Sequence, residues 1–187
     1  MKQSDFVHLH GHTMFSLLDG ACKIGSIAER VAEWGMPAVA MTDHGNMFGA
    51  IEFYKTMNEV GVKPIVGCEL YCTVGSRLEK KAAHGSQNGA HHLVALAKNG
   101  QGYQNLIKLV SAGYTEGFYY NPRIDKDILR QYSDGLICLS ACISGEIPYL
   151  VENEGFETAK AAVEDYQDIF GEDYYLEIQR HGIDREA

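Results

Sequence analysis

Six short apolar runs alternate with segments of helical period along the 187-residue chain, and this alternation limits the fold more than any other feature. "FVHL", "AVAMTD", "KPIVGCELYCT", "HHLVALAK", "GLICLSACIS" and "YYLEIQR" read as strands. A helix over "SIAERVAEWG" follows the first, with Ser26 and Glu29 as a capping box and Gly35 and Pro37 as its stop. Further helices are expected over "MFGAIEFYKTMNEVG", "GYQNLIKLVSAGY", "DKDILRQYS" and "FETAKAAVEDYQDIFG". Strands separated by crossover helices imply a parallel sheet, either open or closed into a barrel. The stretch from Gly75 to Ala90 is polar and glycine-rich and reads as a mobile loop with few core contacts. No repeat, low-complexity tract or linker divides the chain, so residues 1–187 are expected to be one domain. A barrel of βα units generally needs more residues than this, so the chain reads as the N-terminal piece of something longer.

Composition narrows the function classes. The chain is 45% hydrophobic and 22% charged, as ordinary globular proteins are. It has no apolar run of membrane-spanning length and no signal-peptide layout, which points to the cytoplasm and away from a membrane. Its five cysteines, Cys22, Cys68, Cys72, Cys138 and Cys142, are odd in number and sit mostly in apolar runs. Reduced thiols in a cytoplasmic protein fit this better than a disulfide framework. The formal net charge of −9 argues against a chain that binds nucleic acid by its own basic surface. Metals or another domain would have to supply much of any phosphate affinity.

The chemistry-bearing residues fall at the ends of the expected strands. The segment "VHLHGHTMFSLLDG" sets His8, His10 and His12 two apart, so that in an extended chain they share one face, with Asp19 shortly after. Imidazoles on one face with a carboxylate nearby suit zinc or manganese. The second strand ends in Asp43 and His44. The third carries Glu69 inside an apolar run, where an unpaired carboxylate is costly. The fourth opens on His91 and His92, of which adjacent positions allow one to enter a site, and the fifth runs out into Cys142. Each residue has a structural alternative: Asp43 with Gly45 and Asn46 could form a turn and cap a helix, and Cys142 could be a small buried hydrophobe. His84 and His181 read as bystanders. Far-apart positions that converge on one rim are the pattern of a parallel α/β barrel with a metal site.

These residues resemble the PHP (polymerase and histidinol phosphatase) domain, in the branch at the front of bacterial DNA polymerase III alpha subunits. The carriers are "FVHLHGHTMFSLLDGACKI", "GMPAVAMTDHGNMFGAIEFY", "GVKPIVGCELY", "HHLVALAKNGQGYQNLIKLVSAGYTEGFYY" and "GLICLSACISGEI", which cover most of the chain. The resemblance implies a distorted (β/α)7 TIM-like barrel whose C-terminal part is missing from this chain. It implies metal ligands at His10, His12, Asp19, His44, Glu69, His92 and Cys142, with His8 structural. The family's last motif, an Asp-x-His pair on a late strand, has no counterpart here.

The same resemblance implies a site of two or three divalent ions, zinc favoured by the thiolate, with manganese or magnesium as alternatives. His10 and His12 would hold one ion, Asp19 and His44 a second, and His92 and Cys142 a third, with Glu69 as the bridge. Asp19 and Glu69 are the residues expected to carry catalysis. The implied activity is metal-dependent 3′→5′ exonuclease proofreading on the 3′ end of DNA. The implied partners are the rest of the polymerase alpha subunit, a separate proofreading exonuclease subunit and a sliding clamp. Two rivals remain: a non-catalytic scaffold that stabilises the polymerase and docks the separate exonuclease, and a small-molecule phosphatase of the histidinol-phosphatase type. "YQNLIKLVSAGYTEGFYY", typical of the polymerase branch, weighs against the phosphatase.

Overall fold

The computed structural model describes residues 4–81, 89–180 and 182. In chain order the elements are α1 (Ile24–Glu33), β1 (Ala38–Met41), α2 (Ala50–Glu59), β2 (Lys63–Thr73), β3 (Ala90–Ala97) and α3 (Gly100–Thr115). Then come β4 (Arg123–Ile124), α4 (Lys126–Tyr132), β5 (Leu136–Leu139), α5 (Glu146–Asn153), α6 (Phe156–Phe170) and β6 (Tyr174–Tyr175). The strands form one six-stranded sheet in the order β1-β2-β3-β5-β6, with β4 alongside β2. The fold is mixed α/β.

The sheet is not all parallel. β1 and β2 are parallel, as are β5 and β6, but β3 runs antiparallel to both β2 and β5. Among the described residues no α-helix lies between β2 and β3, and the chain turns back on itself where a crossover would have kept its direction. The expected first strand is also not a ladder strand. Residues 6–9 carry no strand assignment, and the carbonyls of His8 and Gly11 accept from Ala40 N and Thr42 N, both at 2.8 Å. The return bond from Gly11 N goes to the Thr42 hydroxyl at 2.9 Å, not to a carbonyl, which interrupts the ladder.

Local signals explain most element ends. α1 begins at Ile24 behind an extended Lys23 with no side-chain cap. Ser26 and Glu29 therefore lie inside the helix, and the expected capping box does not form. Gly35 ends α1 in the left-handed region, with Met36 N returning to Val31 O at 3.0 Å. α3 and α4 start on Asn99 and Asp125, whose side chains accept from Gly102 N and Ile128 N. α5 went unforeseen because Gly145 and Pro148 resemble breakers; Pro148 sits in the first turn, where its missing N–H costs no helical bond.

Alternation along β2 and β3 divides the residues between two faces. Cys68, Leu70, Cys72, Leu93 and Ala95 face a core built with Leu106, Leu109, Leu129 and Tyr166 from the covering helices. Val94 and Leu96 turn to the other face with Ala40, Leu139 and Ala141. Glu69 and His92 share this second face by the same period. A separate cluster of Ile24, Val31, Met41, Phe53 and Met57 packs α1 and α2 onto β1. β2 passes from β1 to β3 at Gly67, where a Cβ would come within 2.7 Å of Ala95 O. Only glycine admits that approach, and it sits two residues before Glu69.

The loop after β2 is better held than its composition suggests. Arg77 pairs with Glu116 at 2.6 Å and Asp125 at 3.1 Å. The fully buried Arg123 donates to the carbonyls of Gly117, Lys81 and Glu79. The remainder of the loop, with His84, and His181 lie outside the described residues.

Candidate metal centre

The site is organised around one buried carboxylate. Glu69 is 1% exposed, yet four imidazoles surround it. His10 Nε2 lies 2.9 Å and His12 Nε2 2.8 Å from Glu69 Oε2, with His44 Nδ1 at 3.4 Å from the same oxygen. His92 Nδ1 lies against Oε1. Asp19 reaches the group from the rim through His44 Nε2 at 2.8 Å. Cys142 Sγ sits 3.9 Å from His92 Nδ1. The seven residues expected from the sequence are thus brought to one rim, with Cys142 the most peripheral.

Direction of the strands accounts for the convergence. His44 follows β1 and Cys142 follows β5, while His92 stands near the start of β3. Because β3 is reversed, its beginning lies at the rim where the parallel strands end. Isolated bridges of His44 to Glu69 and of His92 to Gly145 lock that rim together. Gly45, at a φ of +62°, turns the chain after His44, and a Cβ there would lie 2.7 Å from Pro122. His91 points to the opposite face, buried and 5.1 Å from the Tyr149 ring centre. His8 is exposed and stands edge-on to Phe6, outside the site.

Several supporting residues were not foreseen. Asp43 is fully buried and caps no helix. It accepts from Thr13 N at 2.6 Å, from Thr13 Oγ1 at 2.7 Å and from Ser16 Oγ at 3.0 Å. Ser16 Oγ in turn accepts from His12 Nδ1 at 2.8 Å and His44 N at 3.0 Å. Asp43 therefore holds the loop that presents His12 and Asp19. Glu177 Oε1 lies 2.7 Å from His10 Nδ1. The strand-end rule that picked out the other candidate residues would have found Glu177 on "YYLEIQR" had it been carried to the last strand.

The electrostatics follow from this crowding. Burial opposes ionisation of Glu69, but hydrogen bonds from His10, His12 and His92 outweigh it and hold the carboxyl far below its usual range. Burial opposes charge on His10 too, yet Glu177 and Glu69 raise it to about 10. His92 is likewise raised against burial, by Cys142 and Glu69, to about 9. His44 is lowered, by burial and the neighbouring His12 and His92. Burial raises the Cys142 thiol, but His92 and Ser144 N prevail and its pKa falls. Burial and the Glu69 charge push the Tyr71 phenol up to about 12.

These donors fit divalent cations. Three overlapping groups each bring their ligand atoms within 4.8 Å of one another: His10 with His12 and Glu69, His12 with Asp19 and His44, and His44 with Glu69 and His92. His44 Nδ1 is buried without a hydrogen bond and faces Glu69 Oε2 at 3.4 Å. An imidazole nitrogen with a free lone pair beside an ionised carboxylate is a donor set suited to a divalent cation.

Stability without metal should depend on pH in a set direction. A histidine whose folded pKa is raised contributes fully below its ordinary value of 6.5 and loses that contribution as pH climbs through the folded value. The chelated protein is thus expected to melt progressively lower from about pH 7 through 9 and 10. A Glu69→Gln variant should show a flatter profile over that range. Identical slopes for the two proteins in thermal melts would rule out the imidazolium–carboxylate cluster as the source.

Comparison with known proteins settles the family. The model of the PHP domain matches residues 8–181. The chain belongs to the PHP domain family. It is 52% identical to the DNA polymerase III subunit alpha of Borreliella burgdorferi over 97% of its length, covering 16% of that protein. It is 49% identical to the subunit of the same name from Thermus aquaticus, over 95% of this chain and 15% of that one. For the Aquifex aeolicus subunit the values are 47%, 96% and 16%. This PHP chain thus spans about a sixth of the length of the curated relatives it matches. Among the described residues no helix is long and apolar enough to cross a membrane.

Proposed function

We propose that this PHP domain is a metal-dependent phosphoesterase within a replicative DNA polymerase III alpha subunit of the cytoplasm, removing nucleotides from the 3′ end of a DNA strand. The observation that carries the reading is the set of three overlapping His/carboxylate groups that share Glu69 and His44. His10, His12 and Glu69 would hold one ion, and His12, Asp19 and His44 a second. His92 would join Glu69 and His44 at a third position, with the Cys142 thiolate beside it and favouring zinc. When bound, such ions supply an activated water and neutralise the oxygens of a phosphoryl group.

The protein's own part is to place the ligands and to tune them. Glu69 is kept ionised by its imidazole neighbours, so it offers a full negative charge at neutral pH. His44, its pKa lowered, is neutral there and has a lone pair to give. Asp19 is 63% exposed at its side chain, so it stands at the mouth, where a phosphate ester would arrive. With a net charge of −9, attraction for DNA would come from the bound cations and from other parts of a larger protein.

A scaffold role is the second reading, favoured by one observation: contacts at Glu69 and His10 tie together the segments around residues 10, 44, 69, 92 and 177. Asp19→Asn separates the two in the full-length protein, freed of other exonucleases and supplied with manganese or zinc. On a mismatched primer, loss of 3′→5′ shortening with nucleotide addition retained supports the exonuclease. A parallel fall in both activities and in thermal stability supports the scaffold. Hydrolysis of histidinol phosphate with none of DNA would turn the assignment to a phosphatase.

A further inference from the structure

We infer that Glu177 is a positioning residue for His10, aiming its Nε2 at the metal centre, and that Gln179 holds Glu177 in place. The inference rests on the metal-centre reading and adds to it a residue that no ligand motif includes. His10 uses its two nitrogens differently: Nε2 faces Glu69 at 2.9 Å, while Nδ1 faces Glu177 Oε1 at 2.7 Å. A carboxylate acceptor at Nδ1 keeps a proton on that nitrogen, so Nε2 is the one that gives up its proton and offers its lone pair to a cation. It also fixes the ring's rotation and makes the ring a stronger donor.

The geometry around Glu177 suits that role. Its backbone N–H donates to Ser140 Oγ at 2.8 Å, and Ser140 N donates to Tyr175 O at 3.0 Å. The residue is thereby registered against the end of β5, just before Cys142. Gln179, two residues on, donates its amide to Glu177 Oε1 at 2.5 Å and lies 3.1 Å from His10 Nδ1. Glu177 Oε2 is buried without a partner, so His10 and Gln179 are what this carboxylate serves. His12 has its own anchor at Nδ1, the Ser16–Asp43 pair. Both histidines of the His-x-His pair are therefore braced at Nδ1 and presented through Nε2.

The test compares wild type, Glu177→Ala, Glu177→Gln and His10→Ala, together with the double variant of His10→Ala and Glu177→Ala, all in the full-length protein. Zinc and manganese affinity is read by competition with a chromophoric chelator. The Glu177→Ala change is expected to weaken binding about 10- to 100-fold, as loss of an outer hydrogen-bond partner does. Glu177→Gln keeps an acceptor oxygen and should recover most of it. In the His10→Ala background, Glu177→Ala should cost nothing further, because its effect passes through that ring. Nitrogen NMR of the zinc-loaded protein should show His10 protonated at Nδ1 and unprotonated at Nε2 in wild type, with that pattern lost in Glu177→Ala. Equal metal affinity in wild type and Glu177→Ala would overturn the inference, as would an equal loss with and without His10. If Glu177→Ala does not fold, a full loss in a folded Glu177→Gln overturns it as well. A wild type that binds neither ion at micromolar concentration overturns the metal-centre reading itself, a result distinct from the others.

Discussion

Replacing Glu69 by Gln is expected to empty the metal centre. The substitution keeps shape and removes the one charge that three of the four surrounding imidazoles contact through hydrogen bonds. It also puts an amide N–H₂ where two histidine nitrogens need an acceptor. Affinity for zinc or manganese should fall by more than the roughly 100-fold that loss of an outer partner causes. Phosphoester hydrolysis, if the cations drive it, should drop by about three powers of ten, the equivalent of several kcal/mol in the barrier. Elemental analysis after dialysis is the direct measurement. Undiminished metal content in Glu69→Gln would remove this carboxylate from the ligand set. Calorimetry in buffers of different ionisation enthalpy adds a second check. His10 and His92 are held protonated in the metal-free protein, so binding near pH 7 should release about two protons.

The largest effect on stability should come from Asp43, which touches none of the proposed ions. Asp43→Ala leaves Thr13 N, Thr13 Oγ1 and Ser16 Oγ without their acceptor in a fully buried place. Leaving a buried donor without its acceptor costs about 1–3 kcal/mol per group, so the loss here is about 3–5 kcal/mol in all. For a chain of this length that is a melting temperature lower by about 10 °C. Asp43→Asn keeps acceptor oxygen and should lie between wild type and Ala. Because Ser16 also braces His12, metal affinity should decline along with stability. A melting curve for Asp43→Ala that overlays the wild type would mean that the loop from Thr13 to Gly20 stands without this carboxylate.

Much of the candidate site could be read from residue order. Each ligand type appears where an apolar run gives way to polar residues, and Glu69 stands out because an acid inside "KPIVGCELYCT" requires compensation. Tandem histidines could be sorted as well, since adjacent strand positions face opposite ways. What could not be read was direction. His92 at the start of its strand belongs at the same rim as His44 at the end of another only because β3 is reversed, and apolar patterning carries no arrow. Supporting groups were hidden for another reason: Asp43 has the local look of a turn residue, and its true partners lie 27 and 30 residues away. Ser26 and Glu29 failed in the opposite way, since a capping box is a local pattern and the helix began two residues earlier for reasons of burial at Ile24.

The distances in sequence between these partners set a timetable for the chain as it is made. His10 meets Glu69 across 59 residues and Glu177 across 167. At about 5–20 residues per second, Glu69 leaves the ribosome roughly 3–12 s after His10, and Glu177 roughly 8–33 s after it. For that interval the early imidazoles are exposed chelators with no sheet beneath them. A cation captured then would be held by whatever flexible neighbours it found. The candidate centre, whose first histidines are synthesised ahead of β1 to β6, is thus completed only when Glu177 emerges, and metal supplied after synthesis should load it more uniformly than metal supplied throughout.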